Sequence, residues 1–230
     1  MNETTVVVTG ASSGIGAAVA RAFGRTGATV VACARDKDEL WSVLDDVEDL
    51  GGTTEGIRAD VRDELDMERL METAARRGGH IDVLVANAGI NHGAPGEMPM
   101  SGESYAAFDD TFRTNVRGVF AAVKEALPHM NADARVLVPS GSIARDAKPG
   151  MGAYAVSKAA AEGLVRQFAA DCDQSVGVID PGLVATDVTG GQGRDPDDVS
   201  EMFVWAATEA EPTDFDGGVV DLAAWKKATR

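Results

Sequence analysis

The chain has 230 residues, 44% of them apolar, which is enough for one domain with a substantial core. Its 37 acidic residues against 21 basic ones give a formal net charge of −16, which argues against a nucleic-acid-binding surface. No apolar run approaches the roughly 18 to 20 residues of a membrane span, and Cys33 and Cys172 make neither a disulfide framework nor a metal cluster, so no membrane and no metal are expected.

The first apolar run, 5–9, leads into Thr9-Gly10-Ala11-Ser12-Ser13-Gly14-Ile15-Gly16 and then a helical stretch, 17–26. Strand, glycine-rich turn and helix N-terminus in that order form an anion site, because unpaired amides and the positive end of the helix dipole converge there. The next runs are 29–33, followed by Ala34-Arg35, and a weaker one at 55–59, followed by Asp60-Val61. A fourth, 83–86, runs into Ala86-Asn87-Ala88-Gly89, and a long amphipathic stretch then carries Asn115 in TNVRGVF. After the run 135–138 come Ser140-Gly141-Ser142-Ile143-Ala144, then Tyr154-Ala155-Val156-Ser157-Lys158 at the start of a helical stretch that reaches about residue 170. Four residues apart on a helix, Tyr154 and Lys158 face the same way. An ammonium there would favour the phenolate of a group whose ordinary pKa is about 10. The run 176–179 is followed by Pro181-Gly182-Leu183-Val184-Ala185-Thr186, a short Gly-rich loop at 187–195, a helix from near 196 and a last strand at 219–222.

Short Val-rich runs without polar alternation suit strands covered on both faces. Alternating with helices throughout, they predict one α/β domain, 1–230: a Rossmann-type, doubly wound parallel sheet of about seven strands with helices on both faces.

The run TGASSGIG, in Gly-x-x-x-Gly-x-Gly spacing, resembles the cofactor loop of the short-chain dehydrogenase/reductase superfamily. Asp60-Val61, Asn87-Ala88-Gly89, Asn115, Tyr154-x-x-x-Lys158 and Pro181-Gly-x-x-x-Thr186 follow in that family's order. The resemblance implies hydride transfer between a nicotinamide cofactor and a carbonyl or secondary alcohol, with Tyr154 as general acid/base. It assigns cofactor binding to Gly10, Ser12, Ser13, Gly14, Ile15 and Gly16, to Asp60 and Val61 at the adenine, and to Asn87, Ala88 and Gly89 on the ribose side. Lys158 would bind the nicotinamide ribose, and Pro181, Gly182, Val184 and Thr186 would lie along the nicotinamide. Asn115 would hold a relay water. The family's serine usually stands 13 residues before the tyrosine, where this chain has Gly141. Ser142 is taken as its counterpart, on the assumption of a one-residue deletion in 145–150.

The family's acidic position after the second strand falls on Ala34, and Arg35 follows it. A missing carboxylate and an adjacent guanidinium favour NADP(H) over NAD(H). The short loop 187–195 suggests an open site for broad or bulky carbonyl substrates, such as a 3-ketoacyl thioester, a sugar or a ketone. A catalytically silent dinucleotide-binding regulator is the rival reading, favoured by the displaced serine and opposed by the intact Tyr154/Lys158 pair. Apolar residues such as Phe108, Phe112, Phe120, Leu164 and Phe168 exceed what one buried face needs, and a homodimer or homotetramer is expected. The start MNETTVVVTG lacks a basic and then apolar leader pattern, so the location is expected to be cytoplasmic. The acids divide into 23 Asp and 14 Glu while only 6 basic residues are Lys, which suits molar salt and a halophilic origin.

Overall fold

A computed structural model describes residues 3–230. The first half runs β1 (Thr5–Thr9), α1 (Gly14–Arg25), β2 (Thr29–Ala34), α2 (Lys37–Asp49), β3 (Thr53–Arg58), α3 (Glu64–Gly78) and β4 (Ile81–Val85). In the second half α4 (Tyr105–Phe112) and α5 (Gly118–Ala126) flank a π turn, Arg113–Arg117. There follow β5 (Met130–Pro139), α6 (Gly152–Asp171), β6 (Ser175–Asp180), α7 (Asp197–Thr208), α8 (Pro212–Phe215), β7 (Val219–Asp221) and α9 (Leu222–Ala228).

The seven strands form one parallel sheet in the order β3-β2-β1-β4-β5-β6-β7. Alternate residues of each strand feed opposite faces. Val6 and Val8 of β1 pack with Phe23, Leu44 and Phe203, from α1, α2 and α7. Val7 packs on the other side with Leu70, Val123 and Val165, from α3, α5 and α6. β3 is an edge strand with half-buried and exposed positions, which is why its apolar signal at 55–59 is faint and starts two residues late. β5 begins several residues before the run 135–138, a start without an apolar signal because Asn131, Ala132 and Asp133 are exposed. No helix among the described residues is long and apolar enough to cross a membrane.

Four of the nine α-helices among the described residues, α2, α3, α4 and α9, are entered through a side-chain cap. Asp36 accepts from Glu39 N, Asp63 from Leu65 N and Asp66 N, Ser104 from Ala107 N and Asp221 from Ala224 N. α1 differs: Ser13 at its N-cap makes no such bond. The first amides of that helix therefore stay available to a ligand, at the carboxyl end of the central strand β1.

Candidate active site

The glycine loop is clamped from the side by the turn after β4. Asn87 Nδ2 donates to the carbonyls of Thr9 and Gly10 at 3.0 and 3.1 Å, and Thr9 Oγ1 accepts from Asn87 N and Ala88 N at 3.0 and 3.1 Å. Gly16 admits no side chain, since a Cβ there would lie 2.2 Å from Gly10 O and 2.5 Å from Asn87 Nδ2. Gly10 combines a left-handed φ of +66° with a Cβ position only 2.8 Å from Ala88 Cα. Both glycines are thus dictated by close backbone approach, the geometry a pyrophosphate loop requires.

A cleft of about 760 Å³ opens along the carboxyl ends of the strands. Its walls include Gly10, Ser12, Ser13, Gly14 and Ile15 from the loop, Arg35 after β2, Asp60 and Val61 after β3, and Asn87, Ala88 and Gly89 after β4. Tyr154 and Lys158 of α6 and Pro181, Gly182, Val184 and Thr186 after β6 line its other side. Of the residues singled out from sequence, Gly16, Asn115 and Ser142 are not on its wall. Gly16 lies just beneath the loop it shapes.

Arg35 is exposed and makes no ion pair among the described residues. Its neighbour Asp36 is committed to capping α2, so the guanidinium faces the cleft unneutralised by it. Asp60 is bound along both carboxylate oxygens by Arg62, at 3.0 and 2.6 Å, and this holds its carboxyl below the usual range. Arg62 reaches on to Asp110 at 2.6 Å, and His92 Nε2 meets the same carboxylate at 2.9 Å. Burial pushes the Asp110 carboxyl up, but the bonds from Arg62 and His92 outweigh it and leave it lowered. This ladder connects the end of β3 with the loop after β4. From that loop Asn91 Nδ2 reaches Val188 O at 3.4 Å, a link to the short segment after Thr186.

The Lys158 ammonium donates to Pro139 O at 3.0 Å and stands 5.8 Å from the Tyr154 ring centroid. Burial pushes the Tyr154 phenol up to about 12 and the Lys158 ammonium down to about 8. At the phenol desolvation outweighs the ammonium, and the cation is not hydrogen-bonded to it, so the lowering expected from the Tyr-x-x-x-Lys spacing is not produced by the chain's own residues.

Asn115 sits in the π turn, buried, with Oδ1 accepting from Ile90 N at 2.8 Å and Nδ2 donating to Ile90 O at 2.9 Å and Ser157 Oγ at 3.0 Å. Ser157 in turn donates to Tyr154 O at 2.7 Å. The Asn115 amide thus braces the loop after β4 against the Tyr154 helix, and its side chain is spent on protein partners.

The serine position departs from expectation. Ser142 opens the turn Ser142–Ala144, exposed and off the cleft wall, whereas Ser140 is on it. Ser140 N pairs with Ile179 O, so the chain still follows the sheet edge there and turns away only beyond Gly141. Ser140, Asn91 and Thr114 are wall residues that motif spacing did not single out. Position directly after a strand was the available signal for Ser140.

A cleft of nucleotide size at the carboxyl ends of a doubly wound parallel sheet, closing on the half-buried Tyr154 phenol and Lys158 ammonium, defines a dinucleotide-binding oxidoreductase. The sequence profile of short chain dehydrogenases matches residues 4–197, and the chain belongs to that family. It is 32% identical over 234 residues to versicolorin reductase from Emericella nidulans, covering 98% of this chain and 81% of that protein. It is 36% identical over 208 residues to the oxidoreductase UcpA of Salmonella typhimurium, covering 86% and 77% respectively. A short chain dehydrogenase from Burkholderia cenocepacia, solved in complex with NADP, superposes with a TM-score of 0.85 at 27% identity, over 96% of this chain and 97% of that one. The alcohol dehydrogenase of Thermococcus sibiricus, complexed with 5-hydroxy-NADP, gives a TM-score of 0.84 at 27% identity over 95% of each chain.

Proposed function

We propose that this chain transfers hydride between NADP(H) and a carbonyl or secondary-alcohol substrate, with Tyr154 as general acid/base. The observation that carries this is the shared cleft: the clamped glycine loop and the Tyr154/Lys158 pair open onto one continuous wall. Bound there, the nicotinamide would supply the hydride; the chain supplies everything around it. Gly14, Ile15 and Gly16 offer amides to the pyrophosphate at the uncapped start of α1. Asp60 and Val61 border the adenine end, Asn87 to Gly89 the ribose, and Pro181, Gly182, Val184 and Thr186 the nicotinamide side.

NADP(H) is preferred because Ala34 presents no carboxylate to repel a 2′-phosphate, and the unpaired Arg35 guanidinium can bind one. Ser12 and Ser13 add hydroxyls on the same wall.

In the reductive direction Tyr154 donates its proton to the substrate oxygen, and Lys158 holds a positive charge one turn away. Asn115 keeps the tyrosine helix in register with the loop after β4. Ser140 takes the place on the cleft wall that Ser142 does not occupy.

The substrate-side segment 187–195 is a single short turn, Asp187–Thr189, and a glycine-rich return. So small a cover supports an open site and bulky substrates. Phe120 and Val156 remain 42% exposed on α5 and α6, in keeping with a homodimer or homotetramer through those helices.

NADPH oxidation over a panel of ketones, keto thioesters and sugars tests the assignment. The wild-type chain should turn over at least one of them, and Tyr154→Phe should lose turnover while still binding NADPH. Activity surviving in Tyr154→Phe would remove the proposed acid/base. NADPH binding without turnover of any carbonyl or alcohol would favour the silent regulator.

A further inference from the structure

Behind the reacting pair lies a carboxylate that takes no part in the proton transfer. Glu162 is on α6 one turn beyond Lys158, on the same face, and is 2% exposed. Ser140 Oγ donates to its Oε1 at 2.8 Å, and Arg145 Nη1 stands 3.5 Å from that oxygen. The same guanidinium pairs with Asp180 at the end of β6, and Asp180 Oδ1 accepts from Gly182 N at 3.0 Å. One cation, carried by the turn after β5, thus joins the Ser140 segment, the Tyr154 helix and the Pro181-Gly182 loop.

Other members of that helix face, Ala161 and Val165, are small or apolar and buried. A carboxylate among them is costly unless its surroundings use the charge. Two groups here do. Ser140 donates its hydroxyl hydrogen bond to Glu162, so only its lone pairs remain for a ligand in the cleft and proton donation to a substrate oxygen is left to Tyr154. Lys158 is half-buried on the cleft wall, and a counter-charge favours its protonated form. Around it, Pro139 O accepts its hydrogen bond, the Tyr154 ring stands 5.8 Å away and Glu162 lies one turn on along the same helix face; Arg145, beyond Glu162, is shared between that carboxylate and Asp180. Among these, Glu162 opposes the downward push of burial on Lys158.

We propose that Glu162 is a positioning residue for this site: it fixes the Ser140 hydroxyl and keeps a cation beside the Tyr154 phenol. The inference rests on Tyr154 and Lys158 being the acid/base pair, and its test has an arm that does not need turnover.

Glu162→Gln keeps the volume and an oxygen for Ser140 but removes the charge. In the unliganded protein, acetylation of Lys158 by acetic anhydride, followed by mass spectrometry across pH, reads the protonation of that amine directly. Glu162→Gln should lower the pH of half-labelling by about one unit. Ser140→Ala, which leaves the charge in place, should not move it. In the NADPH assay, kcat/KM of Glu162→Gln should fall about fivefold at pH 8 and stay near wild type at pH 6. An unmoved labelling curve, or an equal loss at both pH values, would show that Glu162 merely fills the core. Should Glu162→Gln fail to fold, Arg145→Met leaves the carboxylates unbalanced and should raise the half-labelling pH; no rise overturns the proposal. A labelling shift in a protein whose Tyr154→Phe variant keeps full turnover would instead sink the acid/base assignment.

Discussion

Lys158 points its ammonium at the carbonyl of Pro139, 3.0 Å away, and not at the hydroxyl of Tyr154 one turn before it. The two side chains share a helix face, yet the cation approaches the ring, 5.8 Å from its centroid. In the unliganded chain each of them is therefore governed by its own burial. The phenol rises to about 12 and the ammonium falls to about 8.

From this follows the pH dependence of the reaction. Across the neutral range the Tyr154 phenol holds its proton, the state that its proposed role as general acid requires. The limiting group is then Lys158, which loses its charge as pH rises through about 8. Reductive kcat/KM should be flat from about pH 6 to 7.5 and decline above about pH 8. Alcohol oxidation, which needs the phenolate, should increase with pH over the same interval. Initial rates in both directions against pH check this, and a reductive rate that climbs through pH 9 would contradict it.

Arg35→Ala should weaken NADPH binding by about tenfold or more and leave NADH nearly unchanged, because the contact proposed for Arg35 is a charge-assisted fork to one phosphate group. Fluorescence titration with both nucleotides measures it. Equal losses would mean that Arg35 does not read the 2′ position.

The Asp60–Arg62–Asp110 ladder makes an acid-stability prediction. Both carboxyls are depressed in the folded chain, so their contribution is fully present above the ordinary aspartate value of 3.8 and is lost as pH falls below it. Arg62→Met leaves two partly buried carboxylates without their cation. Its Tm should be several degrees below wild type at pH 7, with the difference shrinking toward pH 3 as both proteins protonate the pair. Thermal melts at stepped pH provide the comparison.

Gly16→Ala should fold less stably by about 1–3 kcal/mol and bind NADPH at least tenfold more weakly. Its Cβ would have to displace either the Gly10 carbonyl or the Asn87 amide, which are the two halves of the clamp on the phosphate loop. Chemical denaturation and nucleotide titration separate the two effects. Unchanged nucleotide affinity would mean that the loop adapts.

The net charge of −16 sets the fifth expectation. A polyanionic cofactor must approach against an unfavourable overall field, so raising salt from about 0.1 to 1 M should raise Tm and improve NADPH affinity before screening weakens the Arg35 contact. Monotonic loss of stability over that range would speak against an acidic shell adapted to molar salt.

The glycine loop, the strand succession and the Tyr154/Lys158 pair were legible in the sequence because each rests on local chemistry: close backbone approach, unbroken apolar runs, and helix spacing. Ser142 misled because spacing from Tyr154 locates a residue along the chain but not relative to the cleft wall. The path from Pro139 to Met151 depends on Arg145 reaching across to Asp180, a contact 35 residues distant in sequence. Glu162 was invisible for the same reason, since its partners Ser140, 22 residues earlier in the chain, and Arg145 come from the segment after β5. The phenol's behaviour was not legible either, because burial is a property of the packed site, whereas the four-residue spacing speaks only of the ammonium.

The π turn at Arg113–Arg117 has one more consequence. A π turn accommodates an extra residue relative to regular α-helical winding, so the faces of α4 and α5 are out of phase by about 100°. Removing one residue there would heal the winding into a single uninterrupted rod of better regularity. It would also rotate Asn115 away from Ile90 and Ser157, and so uncouple the loop after β4 from the helix that carries Tyr154. A deletion that improves the helix would therefore be read as a defect in the enzyme.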